Sequence, residues 1–113
     1  MAEVFAAPSP GLATAAGGLA LTGDERALVR RIVDAVLPGA RVSVFGSRAT
    51  GRARPHSDLD LLLHEPQQLT LAQRAELRDA FEASTLPFRV DLVAAGELAA
   101  GYRARVLGEA VAL

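Results

Sequence analysis

From Asp58 to His64 the chain reads Asp-Leu-Asp-Leu-Leu-Leu-His. Side chains alternate across a strand. Leu59, Leu61 and Leu63 therefore line one face, and Asp58, Asp60 and Leu62 line the other. Two carboxylates so placed repel each other unless a cation sits between them. Asp60, set among leucines, does not stay buried cheaply without a partner. A fold that holds this segment must bury its leucine face and supply countercharge on the other.

The surrounding elements follow from period and punctuation. Asp24 and Glu25 suit the positive end of a helix dipole, and Thr22, Gly23 or Asp24 caps it. Leu28, Val29, Ile32, Val33, Val36 and Leu37 recur at helical spacing until Pro38-Gly39. Residues 41–45 read as a strand, stopped by Gly46, and residues 47–50 open a short helix limited by Gly51. Residues 52–57 have turn chemistry around Pro55. Thr70 caps an amphipathic helix over 71–83, with Leu71, Ala75, Leu77 and Phe81 apolar. A third strand spans 88–93, with Phe88, Val90 and Leu92 on one face and Arg89, Asp91 and Val93 on the other. A last helix, about 97–109, carries Leu98, Tyr102, Val106 and Leu107, and Tyr102 reads as core packing. The order α-β-α-β-α-β-α predicts an α/β (α+β) domain, a small mixed sheet flanked by helices. With 113 residues the chain makes about one domain.

Composition removes several chemistries. All 12 basic residues are Arg, so no mechanism needing a lysine is open. There is no Cys, which excludes disulfides, thiolate nucleophiles and Cys-type zinc sites. The two His are too few for a His-rich metal site. A net charge of −1 argues against direct nucleic-acid binding through a whole-surface field. No apolar run approaches the roughly 18–20 residues of a membrane span. Residues 1–21 lack a basic n-region and are interrupted by Pro8, Pro10, Gly11, Gly17 and Gly18, so they read as a flexible tail rather than a secretory leader. The domain then covers 22–113, and the cytoplasm is the expected compartment.

Chemistry concentrates in Gly46-Ser47, ten residues, then Asp58-Leu59-Asp60. A strand ending in Gly-Ser and running into a helix offers backbone N–H groups and a hydroxyl to a phosphate, and Gly permits close approach. Hard divalent cations such as Mg²⁺ prefer oxygen ligands and keep substrate phosphates in their shell. Phosphate cradle and carboxylate pair together describe a site for a metal-bound nucleotide. Asp91 is the one acid inside a later strand. If that strand lies beside 58–64, Asp91 joins the cluster and can accept a proton from an attacking hydroxyl. Arg48 is the candidate for bidentate phosphate contact. Arg52 and Arg54 are left outside the core site as solvated loop residues, and His64 reads as structural or exposed.

Gly46-Ser47, Asp58-Leu59-Asp60 and Asp91 within Phe-Arg-Val-Asp-Leu-Val resemble the DNA polymerase β-like nucleotidyltransferase superfamily. The small size is similar to the minimal nucleotidyltransferases (MNT), the antitoxins of HEPN/MNT toxin–antitoxin pairs. The resemblance covers about residues 24–113. It implies that Gly46 and Ser47 hold a triphosphate, that Asp58 and Asp60 bind two Mg²⁺ ions, and that Asp91 completes the metal site as general base. It further implies ATP as donor, pyrophosphate as leaving group, and AMP transfer to a tyrosine hydroxyl of a HEPN toxin. Two other readings stay open: a non-catalytic antitoxin or nucleotide-binding module that neutralises its partner by contact, and nucleotidyl transfer to a small molecule. Taken singly, Asp91 has a lesser alternative reading as an exposed residue on an edge strand. Oligomeric state is left open by the residues.

Overall fold

The computed structural model describes residues 19–113. Helix α1 spans Gly23–Val36 and starts on a capping box. The Thr22 hydroxyl accepts from the Glu25 N–H, and the Glu25 carboxylate accepts from the Thr22 N–H, both at 3.0 Å. Strand β1 (Arg41–Phe45), the one-turn helix α2 (Ser47–Thr50), and strand β2 (Leu59–Glu65) follow. Helix α3 (Leu71–Glu82) uses Thr70 and Gln73 as a second capping box. Strand β3 (Val90–Ala94), a 3₁₀ turn (Ala95–Glu97), helix α4 (Ala100–Glu109) and a short strand β4 (Val111–Ala112) complete the chain.

The expected order holds and gains β4 at its end. A two-residue strand carries no readable period, so only its partner reveals it. The sheet order is β3-β2-β1-β4. β1 is antiparallel to both β2 and β4, while β2 and β3 are parallel across the α3 crossover. This is the mixed sheet expected.

Alternation along the strands divides the apolar residues between two cores. Leu59, Leu61 and Leu63 pack with Val42, Val44, Val29 and Val33 of α1, and Leu77 and Phe81 of α3. Leu62 faces the other way and packs with Phe45 and with Val106 of α4. Helices thus cover both sheet faces, and the α4 side is the thinner layer.

Three expectations are corrected. The domain does not begin at 22: Leu19 is buried and Leu21 packs against the main core. The Ala20 N–H also donates to the Arg48 carbonyl at 2.8 Å. The rest of the supposed tail, 1–18, lies outside the described residues. Leu71 is 86% exposed rather than part of the buried stripe. It sits six residues before Leu77, which turns it about 120° around the helix from the buried face. The last helix starts at Ala100, because residues 95–97 form the 3₁₀ turn instead. No helix of the described residues is long and apolar enough to cross a membrane.

Candidate functional site

Register decides whether the acids meet. Phe45 pairs with Asp60, and Asp60 pairs with Asp91. Register partners on neighbouring strands share a face, so Phe45, Asp60 and Asp91 form a row across β1, β2 and β3. The condition attached to Asp91 is therefore met. It also lies on an edge strand and is exposed. Asp58, one residue before β2, is exposed and shares the parity of Asp60.

The row opens into a cleft of about 320 Å³ between the sheet and α4. Gly46, Asp60 and Asp91 line its sheet side, and Tyr102, Arg105 and Glu109 line its helix side. Asp60 feels this arrangement most. Burial, then repulsion from Asp91, Asp58 and Glu109, pushes its carboxyl up from 3.8 to about 6. Among the described residues, no three acids are already gathered as cation ligands. The donor chemistry nevertheless fits a hard divalent cation: every candidate ligand is a carboxylate oxygen, and the acids repel one another as they stand. Among the described residues, the cation paired with Asp91 is Arg89, at 3.4 Å with both side chains mostly exposed, a contact worth little.

Gly46 shapes the cleft through what it lacks. Its φ is +76°, in the left-handed region, and a Cβ there would collide with Asp60 Oδ2. Ser47 follows as the first residue of α2. The Gly46 N–H donates to Glu109 Oε1 at 3.1 Å, so this donor is engaged within the protein.

Arg48 is not placed for phosphate contact, which corrects the expectation. It is 5% exposed. Its guanidinium donates to the carbonyls of Ala20 at 2.6 Å, Pro55 at 3.1 Å and Ser57 at 2.9 Å. It also lies 4.1 Å over the Phe88 ring. Phe88 belongs to the core on the opposite sheet face from Asp60. Burial lowers the Arg48 pKa, and four hydrogen bonds from the five-donor fork tie the 52–57 loop and residue 20 to α2. The Ser57 hydroxyl accepts the Arg54 N–H at 2.8 Å within this loop. His64 contacts the Ser43 hydroxyl at 2.8 Å, a structural role as expected.

Residues of α4 were missed as site residues. Tyr102, read as core, is 48% exposed and borders the cleft. Tyr102, Arg105 and Glu109 follow i, i+3, i+7 spacing. That spacing marks a shared helix face without saying what the face meets.

Comparison with known proteins gives the family and the fold. Residues 26–112 match the family described as nucleotidyltransferase domain. A probable protein adenylyltransferase MntA of Haemophilus influenzae is 40% identical over 75 residues, which are 66% of this chain and 66% of the relative. The protein adenylyltransferase MntA of Thermococcus cleftensis is 39% identical over 70 residues, 62% of this chain and 70% of the relative. The chain thus aligns with about two thirds of the length of each. A solved structure described as a candidate minimal nucleotidyltransferase superposes with a TM-score of 0.62 at 40% identity, covering 78% of this chain and 91% of the other. A crystal structure of a toxin-antitoxin with AMP-PNP shares the fold, with a TM-score of 0.64 at 23% identity over 76% of this chain and 69% of the other.

Proposed function

The chain belongs to the nucleotidyltransferase domain family, and from that premise we propose that it transfers AMP from ATP to a hydroxyl of a partner protein. The partner is a HEPN toxin, the acceptor is a tyrosine, and modification silences the toxin. One observation carries the reading: Asp60 and Asp91 are register neighbours on one sheet face, beside the Gly46-Ser47 turn. The two relatives are adenylyltransferases of proteins by name, which supports both the group moved and the class of acceptor.

Asp58, Asp60 and Asp91 would hold Mg²⁺, which when bound offsets the carboxylate and phosphate charge. Ser47 offers its hydroxyl and N–H to the triphosphate, and Gly46, by lacking a Cβ, leaves room for the Asp60 carboxylate beside it. The acceptor hydroxyl oxygen attacks the α-phosphorus, the bond from that phosphorus to the β-phosphate oxygen breaks, and pyrophosphate departs. The hydroxyl proton passes to Asp91. Its 54% side-chain exposure leaves it open to an acceptor carried on another protein, whereas Asp60 sits deeper.

The test is to co-express the chain with the product of the neighbouring gene and weigh the purified partner by intact mass spectrometry. The partner should gain adenylyl mass with the wild type and none with Asp91→Asn. A partner that is bound and neutralised without gaining mass, and that Asp60→Asn still neutralises, would establish inhibition by contact instead.

A further inference from the structure

We propose that Glu109 is a positioning residue of the nucleotide site: from the last turn of α4 its carboxylate accepts the Gly46 N–H and holds the β1–α2 turn in its working conformation. This rests on the nucleotide-site reading above. The bond is 3.1 Å long and joins residues 63 apart in sequence. It connects the last described helix to the turn between the first two strands.

Three observations converge on it. First, Gly46 needs an external partner. It is the N-cap of α2, position N3 is Ala49, whose side chain has no acceptor to reach back to the N-cap N–H, and its φ of +76° and ψ of −155° belong to neither strand nor helix. The β1 ladder toward β2 ends at Phe45. Without Glu109 this half-buried N–H would lose its protein acceptor.

Second, Glu109 occupies an expensive position. Its side chain is only 21% exposed, and it lines the same cleft as Asp60 and Asp91. A carboxylate set among carboxylates is disfavoured unless something offsets it. Arg105, one turn back at 3.7 Å and 71% exposed, offsets little. The charge-assisted bond from Gly46 is the compensating contact.

Third, the backbone on both sides is held. Val106, one turn before Glu109, is buried with Phe45 and Leu62. Two residues after Glu109, β4 pairs along β1 through Val44↔Val111 and Ser43↔Ala112. β1 is the strand that ends at Gly46. Glu109 therefore closes a ring from β1 through the Gly46 turn, α4 and β4 back to β1. Gly46 in turn fixes both where Ser47 begins α2 and the gap that Asp60 Oδ2 occupies.

The test compares Glu109→Gln, which keeps an acceptor oxygen at the same reach, with Glu109→Met, which keeps the length and loses the oxygen. Mg²⁺-ATP affinity is measured by calorimetry, and Gly46 amide exchange by NMR without nucleotide. Losing a charged hydrogen bond, Glu109→Met should raise the Kd about tenfold and speed Gly46 exchange about tenfold. Glu109→Gln should restore both to within about threefold of the wild type. The Gly46 amide resonance reports whether each variant is folded at this turn. Equal weakening by Gln and Met would overturn the proposal, because the charge and not the acceptor would then matter. Unchanged Gly46 exchange in Met would overturn it as well. A wild type that fails to bind Mg²⁺-ATP would bring down the nucleotide-site reading instead, with the exchange arm still judging the hold on the turn.

Discussion

Asp60 and Arg48 are polar residues in apolar surroundings, and the structure assigns them opposite tasks. Asp60 is raised to about 6 from 3.8, so between those values the folded state holds a proton that the unfolded chain releases. Unfolding free energy therefore falls as pH rises through this window. At pH 7.5 without divalent cations, Asp60→Asn should be more stable than the wild type by about 1 kcal/mol, after allowance for solvent screening of a half-exposed group. The gain should vanish below about pH 4, where both chains are neutral at this position. The same variant should lose nucleotidyl transfer by at least about a hundredfold. Urea titrations across pH, together with incorporation of labelled AMP, check both halves, and full transfer in the variant would remove Asp60 from the site. Arg48→Ala should behave in the reverse way. It strips donors from the carbonyls of Ala20, Pro55 and Ser57 and should cost about 3 kcal/mol. Arg48→Lys should not rescue it, since an ammonium cannot reproduce the fork. If Arg48→Ala kept its stability and lost only nucleotide affinity, the phosphate role would be reinstated.

At the scale of elements, the segment before α1 belongs to the domain. Leu19 is buried against the main core, and the Ala20 carbonyl accepts from Arg48 at 2.6 Å. A chain beginning at Thr22 should therefore be less stable than one beginning at Leu19 by about 3 kcal/mol, the cost of emptying a leucine site and freeing one end of the Arg48 fork. Thermal melts of the two truncations compare them directly, and equal melting temperatures would show that residues 19–21 contribute nothing. On the opposite face α4 works as the helix wall of the cleft. Its inner face buries Val106 and turns Tyr102, Arg105 and Glu109 toward the acids. Val106 anchors the helix, while Tyr102 and Arg105 border the cleft and Glu109 holds the Gly46 N–H.

Across the whole molecule, a net charge of −1 conceals an uneven distribution. Asp60, Asp91 and Glu109 share one cleft, with Asp58 near enough to raise the Asp60 pKa. A fold that gathers acids in this way should gain stability when a cation binds the native state alone. Added Mg²⁺ should raise the melting temperature of the wild type by a few degrees. It should leave the Asp60→Asn/Asp91→Asn double variant nearly unmoved. An equal shift in both proteins would mean that the ion acts elsewhere.

Alternation was enough to assign the faces of β2 and β3: Leu59, Leu61 and Leu63 inward on one side, Asp60 and Asp91 on the other. Turn and capping residues were enough to place α2 after Gly46 and to start α3 after its cap, Thr70. These features depend on neighbours within a few positions, so the residues by themselves determined them. Strand spacing also predicted a common face for Asp58 and Asp60, but β2 begins only at Leu59 and leaves Asp58 in the preceding loop. What decided the rest was contact between segments far apart in the chain. The Asp60–Asp91 register depends on how β3 docks beside β2 after a helical crossover. Arg48 left the site because backbone carbonyls of residues 20, 55 and 57 converge on it. Tyr102 left the core because the part of α4 that carries it borders the cleft beside Asp60 and Asp91. Glu109 joined the site through a single bond spanning 63 residues. A hydrogen bond between a distant carboxylate and a glycine N–H leaves no period and no spacing in the sequence, and exists only once both ends of the chain are folded onto β1.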